Sequence, residues 1–536
     1  MTFTPKSHSL AVITPREAED EIGFHEPIAE KDTVHPAVNS KFHPAASPDV
    51  TVGSNNLGTT NIEARARLDK LKEDFGATWD GPNDPDDPYN WPSFRKVSIG
   101  VIFSFGQLIT LMSASMIAAA LGNIQRDLEI DPATSQIIFS TYFLGMAFAP
   151  FLIAAWAETN GRKQVWLFAN AWYILWNALC PVGNSKALMI VGRLMTGAGA
   201  SAGITLTGPV MADMYREEDR GKSLAIASFL PYLGPALGPI VGGLVTQHVD
   251  WPWIFWIMCI FDAAVTLLGL AFIRESYTPV LLHRKAAETV QPWSPAGSSL
   301  LTRLSANLAR PVRLLLKRPV IQVIAILLAL DFGIYAFLLS TFGTLYIDRY
   351  GESESAAGLH YIAISIGSTV AAQAGGHIMD WLYRRLRDRS PTKEGKPEFR
   401  APWLAPGMIL LPAGLFWYGW SAEQGISWVM VDFGAGIFTL GSFIFSQGLL
   451  AYQLDEFVEH GASANAASRV FSNMMAFAFP IFAPHLYHRL GYRWGNSLLS
   501  FIWLALAGPI PMAFWLWGEK LRGLGKEGGK SSSGET

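Results

Sequence analysis

Four charged side chains stand inside long apolar stretches of the sequence: Arg193, Asp262, Asp331 and Asp432. A charge near the centre of a bilayer costs about 2.5–3.5 kcal/mol even on lenient insertion scales, so each needs a partner, a wet cavity or a neutral state. An arginine stays ionised in any protein environment, whereas a carboxyl withdrawn from water can keep its proton. The aspartates are therefore candidates for binding and releasing a proton, with a structural ion pair as the alternative.

The three aspartates differ in how deep they lie within their apolar stretches. Asp262 and Asp331 lie about 9 and 11 residues from the start of their stretches, which is about 14–16 Å along a helix and close to the midplane. Asp432 lies only about four residues, or ~6 Å, from the start of its stretch, at a depth that water reaches. Depth therefore favours a functional role for Asp262 and Asp331 over one for Asp432.

The composition indicates a membrane protein. Half of the 536 residues are apolar and only 16% are charged, where a soluble chain carries about 25% charge. Apolar runs of about 20 residues, the length that spans a bilayer, recur along the chain. We predict an all-α membrane protein with twelve transmembrane helices, at 97–120, 136–157, 165–183, 187–211, 224–248, 253–273, 320–346, 356–376, 402–420, 428–452, 468–486 and 497–517.

The Lys and Arg residues of the loops predict the orientation and the domains. Loops after the even-numbered stretches carry about four times as many of these residues as loops after the odd ones, which places both termini in the cytoplasm. The long basic loop after the sixth stretch divides the chain in two. The predicted parts are a largely disordered cytoplasmic tail (1–95), a six-helix bundle (96–273), a basic cytoplasmic loop (274–319), a second six-helix bundle (320–518) and a cytoplasmic tail (519–536).

An internal repeat supports this division. After the second stretch, Glu158 precedes the basic pair Arg162 and Lys163 by four and five positions. After the eighth stretch, Asp380 precedes Arg384 and Arg385 by the same spacings. Parallel repeats of this kind relate the two halves of some transporter folds.

Prolines and glycines recur every fourth residue in the fifth stretch: Pro231, Pro235 and Pro239, with Gly234, Gly238 and Gly242. Interior prolines are tolerated in membrane helices because packed neighbours satisfy the freed carbonyls. A glycine row lets a second helix approach backbone to backbone. On these residues alone, the stretch predicts a kinked, tightly packed membrane helix.

This stretch also carries a resemblance. Gly234-Pro235, Gly238-Pro239 and Gly242-Gly243 resemble the antiporter motif on the fifth helix of drug:proton antiporters of the major facilitator superfamily. Asp87-Pro-Tyr-Asn-Trp-Pro92 resembles the segment just ahead of helix 1 in the fungal 12-spanner members (DHA1-type). The resemblance covers about residues 85–522 and implies the major facilitator fold, with two six-helix bundles around a central cavity.

The resemblance also implies roles for the charged residues. Arg193 matches the fourth-helix arginine that lines the cavity and takes part in proton coupling. Helices 1, 4, 7 and 10 line the cavity in this fold, so Arg193, Asp331 and Asp432 are expected to face it. Asp262, on the sixth helix, is expected to be a structural or lipid-shielded residue. We predict Asp331 as the proton carrier.

A cytoplasmic gate is expected next to the cavity. Glu158, Gly161, Arg162 and Lys163 resemble the loop motif between helices 2 and 3, in which the charges of Glu158 and Arg162 would lock the halves closed on the cytoplasmic side and release them during the cycle. A simple positive-inside anchor is the alternative. Ala154 replaces the leading glycine of the motif, and Glu158 replaces its aspartate. The expected gate also includes Asp213, Arg220, Asp380, Arg384 and Arg385.

The sequence offers nothing for an enzyme, a cofactor, a metal or nucleic acid. Cys180 and Cys259 have no metal or disulfide spacing, and no nucleotide-binding motif lies in a suitable context. The resemblance implies a proton-coupled efflux transporter of amphipathic small molecules such as xenobiotics, drugs or fungal secondary metabolites, working as a monomer by alternating access. It would lie in the plasma membrane, or alternatively in the vacuolar membrane. The alternatives are polyamine export and a transport-dead receptor.

Overall fold

The computed structural model describes residues 67–69, 71–72, 78–216, 230–288, 312–313, 315–391, 393, 395–457 and 461–524. The predicted terminal tails and much of the central loop lie outside these ranges, as does Arg220. Within them, every regular element is an α-helix or a short 3-10 helix.

Ten long helices follow one another as the sequence predicts. In chain order they are α1 (Ser93–Met116), α2 (Pro132–Asn160), α3 (Arg162–Leu179), α4 (Lys186–Met214), α5 (Gly234–His248), α6 (Pro252–Phe272), α7 (Pro319–Tyr350), α8 (Tyr361–Arg389), α9 (Ala401–Gln424) and α10 (Trp428–Glu456).

The last helical stretch contains two helices. Gly461–Ala507 is interrupted at Gly491, whose φ of 67° and ψ of 175° are not helical. We call residues 461–490 α11, and residues 492–507 together with Ile510–Gly523 α12. The carboxylate of Glu423 accepts a hydrogen bond from the backbone N–H of Tyr492 at 2.9 Å, which satisfies a free donor at the start of α12.

Nine stretches of the described chain are long and apolar enough to cross a membrane. The ninth, Ala464–Gly523, has 60 residues. As one helix it would be about 90 Å long, three times the thickness of a hydrocarbon core, so the break at Gly491 must turn the chain back. With that division, and with α3 and α5 added, the described helices match the twelve predicted stretches.

The helices pack in two groups that meet at two seams. In one group α1 contacts α4, α5 and α6, and α3 contacts α4 and α6; in the other, α7 contacts α11, and α10 contacts α8 and α9. Across the groups, α2 packs against α11, and α5 packs against α8 and the short helix Glu354–Leu359. A two-fold relation between α1–α6 and α7–α12 exchanges these two seams, as expected for a repeated fold.

The glycines of α5 bring it against two partners. A Cβ atom at Gly242 would lie 2.6 Å from the carbonyl oxygen of Met116 in α1. A Cβ at Gly243 would overlap the carbonyl oxygen of Glu354 across the seam. The contact is reciprocal, because a Cβ at Gly358 would lie 2.6 Å from the carbonyl oxygen of Pro239. Backbone therefore lies directly on backbone at this seam.

Candidate functional site

Arg193 lies in the interior of the first group of helices. Its side chain is on α4 and is 1% exposed. Its Nη2 donates to the carbonyl oxygen of Ser113 in α1 at 3.2 Å, and its guanidinium lies 4.4 Å from the ring centroid of Tyr142 in α2. Its Nε has no partner. Arg193 is therefore enclosed by α1 and α2 and does not face an open space.

Asp262 belongs to the same polar region. It is 1% exposed, and its Oδ2 has no hydrogen-bond partner. Tyr142 and Tyr173 both lie within electrostatic range of it, and the Tyr173 hydroxyl hydrogen-bonds with Ser113 Oγ. Asp262 lies on the stripe of α6 that packs inward, so of the two expectations, structural or lipid-shielded, its burial favours the structural one. Tyrosines and Ser113 connect it to Arg193.

Asp331 lies halfway along α7 and is 4% exposed. It interacts with the side chain of Ser442 in α10, and its Oδ1 has no partner. The hydroxyl of Tyr335, one turn further along α7, has no partner either. Two unsatisfied polar groups in the centre of a helix bundle are costly, which marks this place as a candidate for proton or ligand binding.

Five aromatic rings form a continuous chain between the two groups of helices, which we call the ring chain. Phe143 of α2 lies 5.8 Å from Phe332 of α7, and Phe332 stacks on Tyr335 at 6.0 Å between centroids. Tyr335 lies 6.1 Å from Phe443 of α10, and Phe443 lies 6.5 Å from Tyr232, just before α5. The ring chain therefore starts and ends in the first group and passes through the second.

Arg469 is a fifth charged residue that the sequence analysis did not include. The predicted stretch began at 468, which left Arg469 at its edge, but α11 begins at Gly461. Arg469 therefore lies about eight residues, or ~12 Å, inside the helix. It is exposed and within electrostatic range of Tyr232. Hydropathy did not indicate that α11 begins at Gly461, seven residues before the predicted stretch.

Asp432 does not join these residues. Its Oδ1 accepts a hydrogen bond from the Tyr346 hydroxyl at 2.6 Å, and its Oδ2 lies 2.8 Å from Nδ1 of His360. Nε2 of His360 lies 2.8 Å from Oε2 of Glu352. Tyr346 of α7 and His360, just ahead of α8, contact both of its oxygens near the end of the bundle, and that Asp432 faces the cavity stays a prediction.

At the opposite end of the bundle, Glu275 holds the start of α3. Its carboxylate accepts hydrogen bonds from the backbone N–H groups of Arg162 at 2.8 Å and Lys163 at 3.1 Å. Gly161 has φ of 95°, and a Cβ there would overlap the Glu275 carboxylate. The loop motif therefore has a structural role that requires Gly161. Sequence reasoning missed Glu275; its only signal was an acid directly after the sixth stretch.

Arg162 forms an ion pair with Asp213, another member of the expected gate. Its Nε lies 3.3 Å from Oδ2 of Asp213 at the end of α4, and its guanidinium lies 4.3 Å from the ring of Tyr277. Nζ of Lys163 donates to the carbonyl oxygen of Leu270 at 3.1 Å. These partners all belong to the first group, so Arg162 clamps helices within one half, and the expected lock between the halves stays a prediction.

The second group contains an equivalent ion pair, but its arginine is Arg400 and not Arg384 or Arg385, which the internal repeat predicted. Arg400 donates from Nε to Asp455 Oδ2 at 2.9 Å and pairs through Nη1 with Asp380 Oδ1 at 2.8 Å. Arg384 Nε donates to the carbonyl oxygen of Asp380 at 3.2 Å, within its own helix, and Arg385 lies 5.0 Å from the ring of Trp381. Arg400, at the start of α9, is therefore the counterpart of Arg162.

The described residues contain no group of three or more His, Cys, Asp or Glu side chains that could hold a metal ion. Cys180 and Cys259 are buried and free.

Comparisons with known proteins agree with this architecture. The family model described as Major Facilitator Superfamily matches residues 103–480. The chain is 39% identical to "Probable efflux pump mfs2" of Aspergillus flavus over 76% of this chain and 99% of that protein. It is 33% identical to "Efflux pump vrtL" of Penicillium aethiopicum over 91% of this chain and 98% of that protein.

A solved structure supports the fold independently. The xylose transporter XylE from E. coli, in a partially occluded inward open conformation, superimposes with a TM-score of 0.57. It is 14% identical and the match covers 79% of this chain and 98% of that one. The predicted all-helical membrane fold is confirmed. The chain belongs to the Major Facilitator Superfamily and is a multi-pass membrane transporter rather than an enzyme.

Proposed function

We propose that this chain is a proton-coupled exporter of amphipathic small molecules, such as xenobiotics, drugs or fungal secondary metabolites, of the fungal 12-spanner antiporter type. The observation that carries the proposal is Asp331, a buried carboxyl with an unpaired oxygen, one turn from Tyr335 in the ring chain. A proton-binding group thus lies beside an aromatic surface between the two groups of helices. The relatives named efflux pumps support export as the direction.

The transport cycle follows from the two seams and the clamps. The contact of Gly243 with Glu354 keeps the halves together at the His360 end of the bundle. At the other end, Arg162 and Arg400 hold helices within their own halves. Each half can therefore move as one body around the ring chain, as alternating access requires. Cargo enters from the Arg162 end, Asp331 releases its proton, and Asp331 is reprotonated from the other side.

The orientation and the membrane are part of the proposal. The basic loops support a cytoplasmic position for the Arg162 end and both termini, with the His360 end facing outward. Export to the medium requires the plasma membrane, and the vacuolar membrane would serve if the cargo were stored. A single chain carries both seams and the ring chain, so a monomer suffices.

The proton gradient supplies enough free energy. One proton that enters across ~100 mV gains about 2.3 kcal/mol, and two pH units add about 2.7 kcal/mol. The sum of about 5 kcal/mol supports a gradient of several thousandfold for a neutral cargo. One proton per molecule is therefore sufficient for resistance to a toxic compound.

Polyamine export, the alternative, needs several carboxylates that face the cavity. Asp331 and Asp432 were the two candidates, and Asp432 is occupied by Tyr346 and His360. Among the described residues near the ring chain, the exposed charge is the cation of Arg469. A polycation would be repelled there, which favours amphipathic cargo.

The test uses export from a pump-deficient yeast host at graded external pH, over a panel of aromatic toxins and lipophilic fungicides. We expect resistance that rises with the external proton concentration and disappears with a protonophore. Asp331→Asn should abolish this dependence on pH, whereas Asp432→Asn, the matched control on α10, should keep it. Full pH-driven export by Asp331→Asn would remove Asp331 from the mechanism, and export indifferent to the protonophore would exclude proton coupling.

A further inference from the structure

Arg469 carries a positive charge in the interior of the bundle. No carboxylate of the described residues lies within ion-pair distance of it, and Tyr232 is the titratable side chain near it. An arginine at membrane depth is expensive and is retained where it faces a water-filled path or a ligand. Its exposure shows that it borders open space and is not packed into the protein.

The depth of this open space follows from the neighbours of Tyr232. The backbone N–H of Leu230 donates to Ser104 Oγ at 3.3 Å. Ser104 lies about seven residues, or ~10 Å, inside the predicted membrane stretch 97–120, within the hydrocarbon region of a bilayer. Tyr232 is two residues further on, and Arg469 is within electrostatic range of it. The charge therefore borders the central region and not the membrane surface.

The ring chain ends at the same place. Tyr232 is its last member, 6.5 Å from Phe443, so a molecule beside Arg469 can also contact aromatic faces from α7 and α10. Planar rings attract other planar rings in stacked or edge-on arrangements. A guanidinium is itself planar and matches the two oxygens of a carboxylate, or a phenolate oxygen, with charged hydrogen bonds.

We propose that the space between Arg469 and the ring chain binds planar aromatic molecules that carry an acidic oxygen: phenolates, enolates or aromatic carboxylates. The assignment rests on the proposed export function and adds the class of cargo to it. Asp331 is 4% exposed beside Ser442, and while it holds its proton it places no negative charge against such a ligand. Aromatic cations meet the positive charge of Arg469 at this place.

The direction of transport agrees with this class. An anion that leaves a cell with a negative interior moves with the membrane potential. A proton that enters moves with it as well. Exchange of an exported anion for an imported proton therefore moves two charges in the direction that the membrane potential favours. The potential drives the export of an aromatic anion more strongly than that of a neutral cargo.

Two dyes with one ring system and opposite charge test the assignment. Fluorescein carries a phenolate and a carboxylate on a xanthene frame, and rhodamine 6G carries a positive charge on the same frame. Binding to the purified full-length protein is measured by fluorescence anisotropy. We expect fluorescein to bind at least tenfold more tightly than rhodamine 6G. Arg469→Gln should weaken fluorescein binding at least tenfold without weakening rhodamine binding, and Arg469→Lys should keep part of the preference.

Arg493→Gln is the matched control, since Arg493 is an arginine of α12 that stacks on Trp420 at 3.8 Å and lies away from the ring chain. Arg493→Gln should leave the binding of both dyes unchanged. Circular dichroism checks that each variant is folded. Equal or tighter binding of rhodamine 6G by the wild type would overturn the assignment. So would a uniform loss of both dyes in Arg469→Gln, or no fluorescein binding at its solubility limit.

Transport in proteoliposomes separates this assignment from the proposed function. Uptake of fluorescein in preference to rhodamine 6G, but without dependence on an imposed proton gradient, would keep the ligand class and exclude proton coupling. Gradient-driven transport of rhodamine 6G in preference to fluorescein would keep proton coupling and exclude the ligand class.

Discussion

Arg400 Nε lies 2.9 Å from Asp455 Oδ2 and joins the start of α9 to the end of α10. Arg162 and Asp213 join α3 to α4 in the same way at 3.3 Å. Both pairs lie at the same end of the bundle, and each stays within its own half. Separation of the two halves at this end therefore does not require either pair to break, which suits a rocking motion of rigid halves.

The two clamps should contribute modestly to stability. Both are partly exposed to water, so we expect Arg400→Gln or Asp455→Asn to lower the free energy of unfolding by about 1 kcal/mol, with a double variant that is less destabilised than the sum. Thermal unfolding in detergent measures the effect. Arg387→Gln is the control, because its pair with Asp388 is exposed on both sides and its loss should change nothing measurable.

Substitution of Glu275 should lower the free energy of unfolding by more than its position in a loop suggests. Glu275 accepts hydrogen bonds from the backbone N–H groups of Arg162, Lys163, Ser276 and Tyr277. Glu275→Ala leaves these donors without their acceptor and should cost about 1–3 kcal/mol. Gly161→Ala should be similarly destabilising, because its Cβ displaces the same carboxylate. Additive losses in the double variant, measured by unfolding in detergent, would show that the two residues do not act together.

The glycine row of α5 gives a steric prediction. Gly242→Ala places a methyl group 2.6 Å from the Met116 carbonyl oxygen, which forces α5 away from α1 and should cost about 1–3 kcal/mol. Transport should fall with it, because α5 also forms the seam with Glu354–Leu359. Gly208→Ala on α4 is the matched control, since nothing lies within 4 Å of its added methyl. Equal effects of the two substitutions would contradict the packing argument.

The effects of substituting Arg193 and Asp262 on thermal stability should not be additive. Each residue is buried with an unsatisfied atom, and the same tyrosines lie near both. Arg193→Gln and Asp262→Asn each alter the surroundings of the same two tyrosines, whereas the double variant removes both ionisable groups together. We expect the double variant to unfold at a higher temperature than the worse single variant. A double variant with the full sum of both losses would indicate independent charges.

Acid should release the segment ahead of α1 from the helix Thr278–Glu288. Asp84 accepts hydrogen bonds from the backbone N–H groups of Asp80 at 2.8 Å and Asp86 at 2.9 Å, and Lys285 Nζ lies 3.4 Å from it. Burial acts to raise the pKa of Asp84, but these donors and the Lys285 charge outweigh it and hold the pKa below its usual value. The stabilisation is therefore present above the ordinary pKa of 3.8 and is lost as the pH falls through the lowered one.

Hydrogen exchange of residues 78–92, corrected for intrinsic rates, measures this release. Protection should persist from pH 7 to about pH 5 and decrease below about pH 4. Lys285→Met should move the loss to higher pH, because Asp84 then lacks its cation. Lys520→Met, in α12, serves as the control. An unchanged acid transition in Lys285→Met would exclude the role of the pair.

The sequence predicted the positions of the helices well because long apolar runs depend on local composition. It could not predict partners that tertiary structure brings together. Arg162 pairs with Asp213, 51 residues away, and His360 lies between Glu352 and Asp432. Arg469 was missed for a local reason, since α11 begins seven residues before the predicted stretch and its first turns are too polar to be recognised by hydropathy.

The seam between α5 and Glu354–Leu359 also limits which residues can stand where the two halves meet. Gly243 and Gly358 each receive a carbonyl group of the other half, so no side chain stands between the two backbones. At these two glycines the backbones leave no room for a side chain or a water molecule between them. Any residue larger than glycine at either position would therefore force the two halves apart at this end.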